Sequence, residues 1–539
     1  MAKQWLTFRQ EKSYRGEVPQ MQKLTGLDEM FLSVDEAGTT NGVMGGLVIY
    51  ERPTTPGAAG AEAMVERIED RLEHLPFLRW KLARTPLGLD HFRWVEAGRV
   101  EIADHVRTIR LPGKGDDRLL AAEVAAIMEV ALPKDRPLWE LVVIEGLAKG
   151  RIAHLLRIHH GLIDGSSVPT VLDILSDNPT PGLGFATKQR WHSDLLTGRI
   201  GLAGRGLVAT AVRPVKLAGL QVKTVRFLAS RAEEDGRLRA APAFAGRILP
   251  GPLGAPFRGL ANLRRSEELP PVQSVVPTLR KPATPFNGRV ESARSYAFSD
   301  LPLADFKTVG KAFGVTLNDV VIAVVAGSLR RYLEERGGIP EQPLVVCIPA
   351  SLRTGEERPY WANHVFMFFA ELPTDVEDPI ERLHEARARV RAGKQTFDAT
   401  PARLVREASE FIPYPVWSLP QRVLSKAPRR YSPSMWNVVV SNVRGPANPV
   451  SVTGATMAGY WPAAFLTMGL GLNITLQSYV DRVDFGFMGA TNLTGDLWEL
   501  PDHMATELAL LLEAARQKTA AEESPTVVKP LKKTKSARA

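Results

Sequence analysis

His159 and His160 stand side by side, and Asp164 and Gly165 follow, giving His-His-x-x-x-Asp-Gly. Only 10 histidines occur in 539 residues, so an adjacent pair in this setting points to chemistry rather than chance. A neutral imidazole near pH 7 can take a proton from a hydroxyl and return it to a leaving group. General base catalysis of this kind supplies about 10²–10⁴ in rate. That suffices where the electrophile is already activated, as in a thioester. Amide hydrolysis would also need a nucleophile and an oxyanion hole, and the chain carries no Gly-x-Ser-x-Gly elbow. It carries no His-Glu-x-x-His metal pair either, so no metal is expected. Direct attack by an acceptor hydroxyl on an activated acyl group fits best.

The elements that must position this base follow from the residues around it. RIAHLLRIHH reads as a strand, paired as a hairpin with LWELVVIEGL. Successive side chains of a strand face opposite ways, so only one of the two histidines can face a substrate channel. Ile152, His154, Leu156, Ile158 and His160 share one face. Gly161 lets the chain leave the strand sharply, and Gly165 lets the backbone turn beside Asp164. Ser166 or Ser167 can cap a following helix. Asp164 has two readings: it orients His160 as in a triad, or it pairs with an arginine and holds the turn. The second is favoured, because the carboxylate lies across a turn from the imidazole. His154, His192 and His384 read as ordinary structural histidines, and Trp139 reads as packing.

Elsewhere Thr25 is placed to cap a helix, with Asp28 at the reciprocal position. GGLVIYERP reads as a strand and residues 61–75 as an amphipathic helix stopped by Pro76. A strong helix is predicted over 317–336, capped by Thr316 and stopped by Gly337. LVVCIPASLR, HVFMFFAELP, MWNVVVSNV and VDFGFMGAT read as strands, and two further helices fit 379–392 and 497–515. Phe366, Phe368 and Phe369 read as core packing ahead of an acyl tunnel. The expected class is α/β with mixed sheets: two α/β halves joined by a long crossover. The divisions are 1–180, carrying the histidine motif; 181–290, a basic, Pro/Gly-rich connection; 291–515, the second half; and 516–539, a disordered basic tail.

The net charge of +9 is uneven. Residues 181–265 hold 15 Lys+Arg against 4 Asp+Glu, and residues 516–539 hold 7 against 2. The central segment interleaves its cations with apolar residues, as in LAGLQVKTVRFLASR, which suits a membrane surface better than nucleic acid. No run is apolar enough for a transmembrane helix, and no signal-peptide core opens the chain. The single cysteine, Cys347, excludes an internal disulfide and a multi-cysteine zinc site. The expected location is the cytoplasm, peripheral to the inner face of the membrane or to lipid droplets, with no nucleic-acid partner.

These residues resemble the bacterial wax ester synthase/diacylglycerol acyltransferases, within the His-x-x-x-Asp-Gly superfamily of CoA-dependent enzymes. LTGLDEMFLSVDE resembles the family's Leu-Asp-x-x-Phe opening, and RPLWELVVIEGL its Pro-Leu-Trp segment. TLNDVVIAVVAGSLRRYL resembles its Asn-Asp helix start, and PASLR, ANHVFMFFAELP and VVVSNVRGP its later strands. The chain departs from the family at Asn442-Val443-Arg444-Gly445-Pro446, where Asn-Val-Pro-Gly-Pro is usual, and at Ala362-Asn363, where Gly-Asn is usual. The resemblance implies two chloramphenicol-acetyltransferase-like domains with an active-site channel between them. It implies that His160 is the base and His159 a supporting residue. Acyl-CoA would be co-substrate, with no cofactor, and diacylglycerol or a long-chain alcohol the acceptor, with no covalent acyl-enzyme. Gly165, Asn318, Asp319, Ser441 and Asn442 are the expected substrate-side residues. Asp319 also sits at the third position of a capping box, and Ser441 or Asn442 is a candidate oxyanion donor at a strand end. Two rivals stand beside this reading: a condensation-type enzyme using carrier-bound acyl groups, and a lipid-surface binding protein with a decayed site.

Overall fold

Helix α1 (Gly26–Val34) starts where the sequence predicts. The Thr25 hydroxyl accepts from the Asp28 N–H at 3.2 Å, and the Asp28 carboxylate accepts from the Thr25 N–H at 2.7 Å. Such a reciprocal cap contributes about 1 kcal/mol. The computed structural model describes residues 21–85, 90–180, 281–351, 361, 363, 365–398, 409–428, 430–432 and 434–523, and seven scattered positions between 204 and 219. The basic connection over 181–265 therefore lies almost wholly outside the described residues.

The first part of the chain contributes strands β1 (Met21–Lys23), β2 (Val43–Tyr50), β3 (Trp80–Ala83), β4 (Arg93–Glu96), β5 (Val106–Gly115), β6 (Trp139–Leu147) and β7 (Ile152–His159). Helices α2 (Ala61–Arg71), α3 (Asp117–Glu129) and α4 (Val168–Leu175) accompany them. The β6–β7 hairpin forms antiparallel, with Trp139 opposite Ile158. β7 is also paired to β2, with Val43 opposite His159. It is thus an interior strand covered on both faces, and Ala153 and Leu155 are fully buried. Trp139 is packing, as expected, with its indole N–H given to the Leu78 carbonyl at 2.8 Å.

The second part contributes β8 (Arg294–Pro302), β9 (Leu344–Ser351), β10 (Val365–Leu372), β11 (Val438–Val443), β12 (Ser451–Val452), β13 (Ala455–Ala463), β14 (Leu472–Tyr479) and β15 (Arg482–Ala490). Its helices are α5 (Leu303–Phe313), α6 (Leu317–Glu334), α7 (Pro379–Asp398), α8 (Tyr414–Leu424), α9 (Thr491–Thr494) and α10 (Glu499–Glu523). One six-stranded sheet runs β10-β9-β11-β14-β15-β8, with β11 parallel to both β9 and β14. The mixed sheets expected from the sequence are present.

The sheets do not follow the two parts of the chain. The other six-stranded sheet runs β12-β13-β2-β7-β6-β5, so residues 451–463 leave the second part and pair β13 against β2. β13 then lies across β15. A Cβ on Gly486 would fall 1.6 Å from the Pro462 carbonyl oxygen, so the two backbones touch and only glycine fits. The Tyr296 hydroxyl reaches the Trp461 and Pro462 carbonyls at 3.2 Å, and the Tyr460 N–H donates to Asp484 at 2.8 Å. One strand therefore clips the two sheets together.

The tail also differs from expectation. α10 continues to Glu523, where a disordered segment from 516 was expected, because Lys518 donates to the Ala312 carbonyl at 2.8 Å and covers the Phe313 ring. The remainder of that tail lies outside the described residues.

Candidate active site

β7 ends at His159, and the next residue still belongs to the ladder: the His160 N–H donates to the Gly42 carbonyl at 2.8 Å. The pleat sends the two rings to different surroundings. His159 is sealed, at 1% exposure, whereas His160 is only partly buried.

His159 is hydrogen-bonded at one ring nitrogen and faces a carboxylate with the other. Its Nδ1 accepts from the Gly161 N–H at 3.0 Å, so Nε2 carries the proton, 3.5 Å from Asp35 Oδ1. Burial pushes the Asp35 pKa upward, but the His159 ring, Lys134 at 3.0 Å and the Gly42 N–H at 2.8 Å outweigh it. The carboxyl lies well below the usual carboxylate range. Gly42 has to be glycine here: a Cβ would sit 2.9 Å from His159 Nε2 and 2.7 Å from the Phe31 carbonyl. The pair is thus a strut beneath the second histidine.

His160 sits in an apolar cage. Phe31 of α1 stacks on its ring at 4.1 Å and 21°, and Phe465 meets it edge-on at 5.4 Å. Desolvation pushes its pKa down from 6.5 to about 4, with His159 adding to that, while Asp164 and the residue's own carbonyl pull the other way. The ring is neutral at pH 7. Asn363 reaches it from beyond β9, and its Oδ1 is already taken by the Val365 N–H at 3.0 Å. Its Nδ2 must therefore be the donor, to the His160 carbonyl at 3.1 Å and toward Nδ1 at 3.0 Å. Nδ1 has two options. It can accept from Asn363, or it can give its own proton to the His160 carbonyl. Only the second leaves the Nε2 lone pair free to act as a base.

Asp164 is fully buried across the turn. It accepts from the Ser166 hydroxyl at 2.5 Å and the Ser167 hydroxyl at 3.2 Å, while its carbonyl accepts from the Ser167 N–H at 3.0 Å. These hydrogen bonds hold the turn; they do not test the arginine pairing that the sequence favoured. Gly161 and Gly165 have no left-handed backbone, so the turn does not require glycine for its dihedrals. What Gly165 leaves is room: a Cβ there would be 3.7 Å from Val443 at the end of β11. Ser441 and Asn442 sit on that same strand end, half-buried and exposed respectively. The Asn442 amide donates to Asn318 Oδ1 at 3.4 Å. Asp319 closes a capping box with Thr316, accepting at 2.8 Å and donating at 3.2 Å, so the helix-capping reading of that residue is observed. The histidine turn, the end of β11 and the start of α6 thus meet in one region. No described contact joins Asn318, Asp319, Ser441 or Asn442 to the His160 ring itself.

The sequence model for the wax ester synthase/diacylglycerol acyltransferase catalytic domain matches residues 24–321, and that for the family's C-terminal domain matches residues 361–512. The chain belongs to this family. A Mycobacterium tuberculosis protein whose name assigns it to the diacylglycerol O-acyltransferases is 32% identical over 503 residues, 92% of this chain and 91% of that protein. A Mycobacterium bovis protein named in the same way is 30% identical, covering 90% of this chain and 98% of its own. The solved wax ester synthase/diacylglycerol acyltransferase from Marinobacter aquaeolei VT8 shares the fold, with a TM-score of 0.60 at 23% identity over 92% of this chain and 100% of that one. The first condensation domain of the calcium-dependent antibiotic synthetase shares it more distantly, at 0.52 and 16%, over 92% and 96%.

This member of the wax ester synthase/diacylglycerol acyltransferase family is an acyltransferase. Four residues around its histidine were given no site role from the sequence: Phe31, Asp35, Asn363 and Phe465. Phe31 and Asp35 were visible as a pair, four apart at the end of an amphipathic helix. Asn363 stood in the Ala362-Asn363 segment that resembles the family but was given no site role, and Phe465 approaches from a distant part of the chain with nothing local to mark it.

Proposed function

We propose that this acyltransferase moves an acyl group from acyl-CoA to the hydroxyl of diacylglycerol or of a long-chain alcohol. His160 is the general base. Its Nε2 takes the acceptor proton as the hydroxyl oxygen bonds to the thioester carbon. The tetrahedral intermediate then expels the CoA thiolate, which takes that proton from Nε2. The carbon–sulfur bond breaks, an ester forms, and no acyl-enzyme or cofactor is involved. His159 and Asp35 brace the strand beneath the base, and Asp164 fixes the turn. With its oxygen given to Asn442, Asn318 keeps its amide nitrogen for the substrate, beside Ser441 at the strand end; Gly165 leaves space between them. Asp319 acts through the helix cap.

One observation carries the reading: a neutral imidazole, on a residue only partly buried, in an apolar cage to which Phe31, Asn363 and Phe465 all contribute. Such a cage suits a lipid acceptor better than a polar one. A peripheral position at the inner membrane face or on lipid droplets follows from the acceptor's insolubility, with the basic 181–265 segment favouring it. The test is purified protein with palmitoyl-CoA and diacylglycerol in competition with hexadecanol, lipid products resolved and free thiol measured. Triacylglycerol or wax ester, with thiol released in equal amount, is expected. Lipid binding without thiol release would instead support the decayed-site reading.

A further inference from the structure

Helix α8 turns to solvent a face that a helix of a soluble domain would ordinarily bury. Val416, Leu419 and Val423, spaced i, i+3, i+7, are 55%, 54% and 67% exposed. Tyr431 and Met435 follow, half or more exposed. Five of the ten exposed large apolar side chains described thus lie within 20 residues, which makes a patch rather than scatter. The opposite side of the helix is anchored: the Tyr414 hydroxyl donates to Glu36 at 2.8 Å, Arg422 donates to it at 2.6 Å, and Ser418 is buried.

The charge within the segment has one sign, with Glu36 beneath the helix and Glu410 just before it the acidic neighbours. Residues 411–436 contain four Lys and Arg and no Asp or Glu, and Lys426 and Arg430 are exposed. Glu36 directly follows Asp35, the partner of His159, and α1 carries Phe31 on the His160 ring. The patch is therefore mounted on the element that forms one wall of the candidate active site.

We propose that this face of α8 docks on an anionic phospholipid bilayer. Apolar side chains enter the headgroup–acyl boundary while Lys426 and Arg430 meet lipid phosphates. The proposal rests on the reading that the acceptor is a bilayer lipid, because docking here would bring that lipid to α1. A second copy fits the patch less well. A two-fold interface would set like charges against each other with no carboxylate in the segment to offset them.

The test uses the full chain and vesicles of phosphatidylglycerol or phosphatidylcholine, with or without diacylglycerol, in about 0.1 M and about 0.5 M salt. The variants are V416S/L419S/V423S, at exposed positions that should not disturb folding, and K426E/R430E. Wild type is expected to sediment with phosphatidylglycerol vesicles in a salt-sensitive way. The triple variant should bind at least about tenfold more weakly and lose turnover of vesicle-borne diacylglycerol to the same degree. It should keep turnover of a water-soluble alcohol with a short acyl-CoA. The charge variant should lose the preference for phosphatidylglycerol. Vesicle binding unchanged in the triple variant would overturn the proposal. So would loss of a dimer, read by light scattering, with vesicle binding intact. If neither protein turns over the soluble alcohol, yet vesicle binding still depends on the stripe, the docking surface stands and the proposed reaction fails.

Discussion

His160 combines two properties that seldom coexist: a ring desolvated by aromatic neighbours, in a residue that is still partly exposed. The cage of Phe31 and Phe465 supplies the first by desolvation, which pushes the pKa to about 4. The acidic limb of kcat/KM should therefore lie near pH 4 rather than 6.5, as a pH–rate profile with a thiol readout would show. His160→Ala should lower kcat by about 10²–10⁴ with the far-ultraviolet spectrum unchanged. Asn363 tests the finer point. Its N–H toward Nδ1 disfavours a proton there, in the imidazolium and in the base-competent neutral tautomer alike, so its firm hydrogen bond is the one to the His160 carbonyl. Asn363→Ala should move the acidic limb upward, as the N–H facing Nδ1 is gone, and cost up to roughly tenfold in kcat through loss of the hydrogen bond that anchors the His160 carbonyl. A loss of rate with the limb unmoved would leave Asn363 a merely structural residue.

At the scale of elements, legibility depended on whether the cause was local. The capping boxes of α1 and α6 read directly, because cap and third residue lie within one turn. The β6–β7 hairpin read equally well from two apolar runs and a short turn. β13 did not: Gly459 and Pro462 interrupt its pattern, a bulge falls between Met457 and Gly459, and its partner β2 lies some 400 residues earlier. α8 was hidden by Pro415 and Pro420, the first tolerated near the helix start and the second inside it. Asn363 could be read as part of a family segment but not as a partner of His160, because only the fold brings the two together. The β13–β15 crossing makes a prediction at this scale. Gly486→Ala would put a methyl 1.6 Å from the Pro462 carbonyl, and backbone cannot swing aside as a side chain can. The expected cost is about 3 kcal/mol, read from urea unfolding. Because β13 also pairs with β2, the loss should reach both sheets together, rather than melting one early.

For the whole molecule, buried histidines set how stability responds to acid. His154 is 2% exposed, with Nε2 bound to the Ala59 carbonyl at 2.7 Å, and desolvation pushes its pKa from 6.5 down to about 4. The unfolded chain binds that proton below about pH 6.5 and the folded chain does not, so stability is lost as pH falls from 6.5 toward 4. His160 titrates in the same sense. Asp484 opposes them: burial raises its pKa from 3.8 to about 6, so the folded chain takes up its proton first and gains stability over that window. The total slope mixes these terms, but a difference isolates one. At pH 4.5 the His154 share comes to about 2.5 kcal/mol by linkage. His154→Gln keeps an N–H for the Ala59 carbonyl and removes the titration. Its unfolding free energy should fall about 2.5 kcal/mol less than that of wild type between pH 7 and 4.5, whatever its stability at pH 7. Equal falls in the two proteins would mean that His154 takes up its proton without unfolding, and that the β7 core admits charge more readily than its packing implies.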